Sequence, residues 1–363
     1  MKSVIALITA CIGLVSGWFS NVVEAVLFPE APATESVEFA RELGNGWNLG
    51  NTLEACEKGS TEKMGLESEI YWGNPYTTKE LLEAVKEAGF KSVRIPVTWA
   101  QHLDEEGRID EKWLSRVGEV VDMVLDCGMY AIINVHHDDA FWLVTDKENE
   151  EKSSELLRKI WSQIGSYFKG YDERLVFDVM NEPRVVGCET EWSGIPEHFE
   201  VVNNLNEAAL RAIRESGGNN GKRYVMIVTY AARYEAKPVK ALRLPDDERV
   251  LVSIHFYYGT AHESEFYDCE RKLSLKEKAE MYKYFRSFYK AFIKKGYGVV
   301  IGEFGWTDRT HLENLSEKAE FFIETANSFG MPCLVWDNGS HFRLFDRATN
   351  ELEFPEYIKF KNV

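Results

Sequence analysis

Basic residues are scarce in this chain. It has 42 Lys and Arg against 59 Asp and Glu, a net charge of −17. Nucleic acid and anionic membrane surfaces both require clustered cations, so neither is an expected partner. Long apolar runs are also missing after the first residues, and none could span a bilayer. Cysteines number six, and they form no C-x-x-C pair, which argues against a zinc site. Cys127 and Cys333 precede apolar runs and read as core thiols. Cys56, Cys188 and Cys269 fall in loops and are available for pairing in an oxidising compartment, while Cys11 belongs to the leader. No G-x-G-x-x-G or G-x-x-x-x-G-K-[ST] follows any apolar run, and no G-x-S-x-G elbow occurs. These absences weigh against a nucleotide-binding sheet and a serine hydrolase.

What is present is a chain of 363 residues with 45% hydrophobic content, enough for one large α/β barrel and a leader. Residues 1–26 read as an export signal: Lys2 supplies the charge, residues 4–19 are largely apolar, and Ala25 lies near a plausible cleavage point. A retained anchor is the alternative, and Ile8-Thr-Ala-Cys11 resembles a lipoprotein box placed early. Residues 27–363 read as one catalytic domain, secreted and expected to be a monomer. Aromatic content is 13%, with 10 Trp and 16 Tyr. Aromatic faces serve a core, and they also suit flat apolar ligands such as sugar rings.

Eight apolar runs recur with helix-period segments between most of them. The runs cover residues 44–51, 91–97, 130–137, 174–182, 224–230, 249–258, 298–303 and 332–338. The helical segments cover residues 78–88, 111–127, 153–168, 196–216, 274–295 and 313–329. Several stop at a glycine, and Ser274 with Glu277 forms a capping box. Between the fifth and sixth runs Pro238 interrupts residues 233–242, the weakest helical signal. Strand–helix alternation of this kind predicts a parallel sheet. The fold class expected is α/β, a single (β/α)8 TIM barrel with its active site at the C-terminal ends of the strands, because polar residues gather there.

Those strand-end residues are Asn48, Arg94, His136, His137, Asn181, Glu182, His255, Tyr257, Glu303 and Trp336. Glu182 and Glu303 each close an apolar run at the rim of a core, where a carboxyl's pKa can be tuned. Two carboxylates facing one cleft are what glycoside hydrolysis needs. Adjacent histidines on a strand point oppositely, so His136-His137-Asp138 makes a poor metal site, and no metal or cofactor is expected. No lysine ends a strand, which argues against a Schiff-base aldolase.

At these positions the chain resembles the cellulase family of glycoside hydrolases, family 5. The matching segments are Gly46-Trp-Asn-Leu-Gly-Asn51, Val93-Arg-Ile-Pro96, Asn134-Val-His-His137, Met180-Asn-Glu-Pro183, Ser253-Ile-His-Phe-Tyr257, Ile301-Gly-Glu-Phe-Gly305 and Val335-Trp-Asp-Asn338. Tyr71-Trp-Gly-Asn-Pro75 and the Trp-Asp-Asn-Gly ending resemble the broad-specificity endo-β-1,4-glucanases of subfamily 4. The resemblance implies a secreted retaining endo-β-1,4-glucanase acting on a β-glucan polysaccharide. The alternative is a glycanase on the same scaffold acting mainly on xyloglucan, mannan or xylan.

By the same resemblance Glu182 is the general acid/base and Glu303 the nucleophile. Arg94 and Tyr257 hold the nucleophile, Asn181 binds the sugar 2-hydroxyl, and His255 partners the acid/base. His136 sits beside the cleaved sugar and Trp336 is the platform beneath it. Trp72 and Trp142, in loops on the active face, would each stack on a more distant glucose or plug its own loop. Trp99, Trp192 and Trp306 are left open in the same way.

Overall fold

The computed structural model describes residues 30–258, 271–307 and 310–355. The leader expected over residues 1–26 and Cys269 lie outside them.

Eight parallel strands close into a barrel in sequence order. They are β1 (Gly46–Leu49), β2 (Ser92–Ile95), β3 (Tyr130–Asn134), β4 (Leu175–Asp178), β5 (Val225–Val228), β6 (Val250–His255), β7 (Gly298–Phe304) and β8 (Cys333–Asp337). Strand alternation sorts the residues of each strand into two sets. Val93, Ile133, Phe177, Ile227, Val252 and Ile301 join the large outer core beneath the helices. Ile132, Val176, Met226, Leu251, Val300 and Leu334 form a separate inner cluster. Two residues further along β3, β4 and β6, and at the equivalent level of β1 and β2, the inner set turns polar: Asn48, Arg94, Asn134, Asp178 and Ser253, all buried. The barrel interior is thus apolar below and ionic above, and the site is built on the ionic layer.

A helix absent from the sequence reading, α1 (Glu35–Leu43), closes the apolar end. Its Phe39, Ala40 and Leu43 pack into the inner cluster. Thr34 caps it, and Ser36 ties it to the barrel by donating to Val250 O at 2.5 Å and accepting from Gly298 N at 2.8 Å. The signal was a capping threonine followed by Val37, Ala40 and Leu43 at three-residue spacing. At nine residues the pattern is short.

The outer helices follow expectation within a few residues: α2 (Lys79–Glu87), α3 (Glu111–Asp126), α4 (Glu150–Phe168), α5 (Pro196–Glu215), α6 (Ala236–Ala241), α7 (Leu275–Ala291) and α8 (Leu312–Ser328). The capping box at Ser274 and Glu277 is formed. In α6, Pro238 sits in the first turn, where its missing N–H has no intrahelical partner to lose. A two-stranded hairpin, β9 (Phe345–Asp346) with β10 (Glu351–Leu352), follows the barrel.

Several strands are shorter than their apolar runs, β3 ending at Asn134 among them. β1 is four residues long, and β4 ends at Asp178, short of Glu182. The chain after β4 still leans on its neighbours, with Val179 N donating to Met226 O at 3.0 Å and Asn181 N to Val135 O at 2.8 Å. Cys56, Cys127, Cys188 and Cys333 are free thiols. Cys56 is buried, its thiol pushed up to about 12 by desolvation, so it is a core residue and does not pair. Cys127, expected in the core, is only partly buried. Among the described residues no helix is long and apolar enough to cross a membrane.

Candidate active site

Glu303 owes its direction to an irregularity in β7. Ile301 pairs with Ile254 of β6, but His255 pairs with Glu303, so Gly302 is an extra residue on β7. Val300 and Gly302 belong to the inner set, and strict alternation would send Glu303 outward. The bulge re-aims it to the cleft. Glycine is required at the bulge because a Cβ on Gly302 would lie 2.7 Å from Ser253 Oγ.

Both oxygens of Glu303 are engaged. Arg94 Nη1 donates to Oε1 at 2.7 Å and the Tyr257 hydroxyl donates to Oε2 at 2.9 Å. Arg94 itself is fully buried and held from four directions. Its Nε donates to Asp178 Oδ2 at 2.9 Å, Nη1 also to Asn48 Oδ1 at 3.1 Å, and Nη2 to Asn181 Oδ1 at 2.8 Å. Burial alone would lower the Arg94 pKa, but the carboxylates of Asp178 and Glu303 outweigh it and the net shift is upward. Burial pushes Asp178 up to about 6, against the pull of Arg94.

Glu182 stands opposite. Its Oε1 is 2.9 Å from His255 Nδ1, and its side chain is 21% exposed against 7% for Glu303. Burial raises the Glu182 pKa, opposed by the cations Arg184, Arg94, Arg233 and Lys58. Burial also lowers His255 to about 4, so the imidazole is neutral in mildly acidic solution. Glu182, His255 and Glu303 each bring a ligand atom within 4.8 Å of the others. A cation could bridge such a group, yet both Glu303 oxygens already accept hydrogen bonds, one from a guanidinium. A like charge at 2.7 Å makes this a poor metal site.

Trp336 lies at the end of β8 with its ring parallel to His136, centroids 5.8 Å apart and planes 6° apart. Gly50 makes room for it, since a Cβ there would come within 2.7 Å of the Trp336 ring and 2.8 Å of Asp337 O. His136 and His137 do not diverge as expected, because β3 ends at Asn134 and a 3₁₀ turn, His137–Ala140, begins after Val135 and His136. Their rings meet edge to face at 4.5 Å, and His137 continues to Trp72 at 5.5 Å. Trp336, His136, His137 and Trp72 thus form one aromatic wall. Burial holds both histidines well below their usual pKa.

All ten site residues named from sequence lie at this end of the barrel, but not in one role. Asn48 is fully buried, its amide donating to the carbonyls of Gly302, Leu334 and Val335, so it supports the site from beneath. Trp142 donates to Asp138 Oδ1 at 2.8 Å and plugs its own loop. Trp99 and Trp306 are buried, and Trp192 packs under Arg184. The sequence reading missed Asp178, the counter-ion of Arg94. Its signal was a lone charge inside the apolar Leu175-Val-Phe-Asp178 strand. It also missed Asn74, whose amide reaches Gly50 O, Asn51 O and Asn338 O, and Arg347, which donates to Gly50 O and Asp337 O. Both clamp the backbone around Trp336, and neither stands at a strand end.

Comparison with known proteins agrees with this geometry. The family model described as cellulase (glycosyl hydrolase family 5) matches residues 54–342. The chain is 41% identical over 344 residues to the cellulase/esterase CelE of Acetivibrio thermocellus, a match covering 89% of this chain. It spans only 40% of the length of that relative. Among solved structures, a GH5-4 broad-specificity endoglucanase from Clostridium longisporum superposes with a TM-score of 0.84 at 36% identity, covering 89% of this chain and 95% of the other. A family 5 xyloglucan-specific endo-β-1,4-glucanase from a metagenomic library, in complex with cellotriose, superposes with a TM-score of 0.83 at 35% identity, covering 89% and 96%.

Proposed function

The chain belongs to the cellulase family, glycosyl hydrolase family 5, and within that family we propose that it is a secreted endo-β-1,4-glucanase that cleaves β-glucan with retention. The observation that carries the reading is the carboxylate pair. Oxygens of Glu182 and Glu303 lie within 4.8 Å of each other, close to the separation of retaining enzymes and short of the ~6.5–9.5 Å that leaves room for a water in inverting ones.

The two carboxyls have unlike surroundings, and this assigns their work. Glu303, anchored by Arg94 and Tyr257, is the nucleophile. It attacks the anomeric carbon and forms a glycosyl ester. Glu182, which burial biases toward its protonated form beside a neutral His255, protonates the departing oxygen. Once Glu303 is esterified its negative charge is gone, and Glu182 loses its proton more readily. It then accepts a proton from the water that releases the sugar.

Asn181 offers its Nδ2 to the sugar 2-hydroxyl, because its Oδ1 is taken by Arg94. Trp336, stiffened by the parallel His136 ring, is the platform under the cleaved sugar. Export of the chain rests on the sequence of residues 1–26. A second reading, action mainly on xyloglucan, is favoured by the likeness to the xyloglucan-specific enzyme. Initial rates on soluble β-glucan, xyloglucan, glucomannan and xylan, with NMR of the first-formed anomer, test both. A β product from β-glucan supports the proposal, an α product overturns retention, and a rate confined to xyloglucan replaces the substrate.

A further inference from the structure

The second oxygen of Glu182 faces a charge pair that the reaction scheme does not use. Arg184 follows Glu182 by two residues, and its Nη1 lies 2.7 Å from Asp139 Oδ2 and 3.9 Å from Glu182 Oε2. The same nitrogen donates to the Glu182 backbone carbonyl at 3.0 Å. Arg184 Nε donates to Glu191 Oε1 at 3.0 Å, and Glu191 Oε2 accepts from Gly187 N at 2.8 Å. The guanidinium carbon stands 4.4 Å from the centre of the Trp192 ring. A side chain held at this many points does not swing away, and it is 16% exposed beside an Asp139 that is 5% exposed. So buried a pair is little screened by solvent.

We propose that Arg184 and Asp139 are positioning residues that set the protonation equilibrium of Glu182, acting as opposed charges whose balance places the basic limb of the pH profile. The inference rests on the assignment of Glu182 as acid/base. Arg184 favours the ionised carboxyl and Asp139 the protonated one, so neither alone gives a group that must hold a proton in one step and release it in the next. Burial raises Asp139 itself, with Arg184 opposing and Glu182 adding to the rise, so the two carboxyls sense each other. The other charged and titratable groups facing Glu182 are His255 on β6, Glu303 on β7, Arg94 on β2, Lys58 after β1 and Arg233 after β5. Variants of Arg184 and Asp139 keep all of these side chains, with Lys58 also acting on Asp139 and Arg184 also acting on His137.

The signs follow from charge alone. Arg184→Gln leaves Asp139 unbalanced and moves the basic limb of kcat/KM on soluble β-glucan up by about half to one pH unit. Asp139→Asn leaves Arg184 unbalanced and moves it down by a similar amount. The double variant returns it close to the wild-type position, whatever the loss in rate. Arg184→Lys keeps the charge and leaves the limb in place with a lower kcat. The carboxyl 13C shift of Glu182, assigned through Glu182→Gln, reads the same displacements without turnover. A wild-type chain inactive on every β-glucan would end the functional reading, while opposed NMR displacements would still uphold the electrostatic one. Limbs and NMR midpoints that stay put, or move the same way in both single variants, overturn the proposal and leave the pair a loop fastening.

Discussion

Arg94 and Glu303 are joined by a 2.7 Å hydrogen-bonded ion pair at the centre of the barrel, with Arg94 fully buried and Glu303 7% exposed. They come from β2 and β7, which β1 and β8 separate in the closed barrel. Asp178 on β4 shares the same guanidinium. One cation thus neutralises two inward carboxylates, and the ionic upper layer of the barrel is tolerable only with all three present.

Removing Arg94 is therefore expected to damage fold and chemistry together. Arg94→Met leaves Asp178 and Glu303 as uncompensated buried charges, a loss of about 3–5 kcal/mol in stability. Tyr257→Phe removes one charge-assisted hydrogen bond and leaves the ion pair intact. It should lower kcat/KM about tenfold to a hundredfold, from a loss of ~1.5–3 kcal/mol, with little change in melting temperature. Thermal denaturation beside kinetics separates the two. An Arg94→Met protein as stable as wild type would remove Arg94 from its structural place.

The pH profile should be a bell in mildly acidic solution. Its basic limb follows deprotonation of Glu182. Burial raises Glu182, so the basic limb should lie above the usual carboxylate range. His255 is pushed down to about 4 and should not contribute a limb near neutrality. Glu182→Gln should abolish the basic limb and most activity on polymer. A basic limb unchanged in that variant would mean another group supplies the proton.

Much of this site was legible in sequence because barrel strands place their final residues on one face. Glu303, Tyr257 and Trp336 needed only a strand end and a residue type. The bulge at Gly302 was not legible, since a two-residue period predicts Glu303 outward and only pairing with β6 shows the extra residue. Asp178 and Asn74 were passed over for another reason. Their partners, Arg94 and the carbonyls around Gly50, are distant in sequence, and no local pattern reports a contact across the barrel. The turn at His136 defeated strand alternation because β3 ends three residues before its apolar run over residues 130–137 does.

Trp336 and Gly50 give a paired test of the platform. Trp336→Ala should lower kcat/KM by roughly tenfold to a thousandfold, from a lost stacking and burial contribution of ~1.5–4 kcal/mol. Gly50→Ala forces a methyl into the ring and the fixed Asp337 carbonyl, so it should also lower kcat/KM by displacing the ring. With alanine at 336 part of that collision disappears, and the two losses should be less than additive. Full additivity would show that Gly50 acts on something other than Trp336.

The last prediction separates the two carboxyls, which proximity alone does not. In the proposed double displacement Glu303 forms the covalent intermediate, whereas Glu182 matters least when the leaving group needs no proton. Glu182→Ala should keep a fast first step on an aryl glycoside with an acidic phenol, and added azide should restore turnover as a β-glycosyl azide. Glu303→Ala should be inactive on both substrates, with azide yielding at best the α-glycosyl azide. The contacts give the reason. Glu303 is anchored through both oxygens by Arg94 and Tyr257, while Glu182 is the more exposed and meets His255 through one oxygen, with the other 3.9 Å from Arg184 Nη1. An azide can occupy space vacated by Glu182 on the β face without disturbing those anchors. Exchange of the two behaviours would exchange the roles, and normal activity on polymer in both variants would place the chemistry elsewhere.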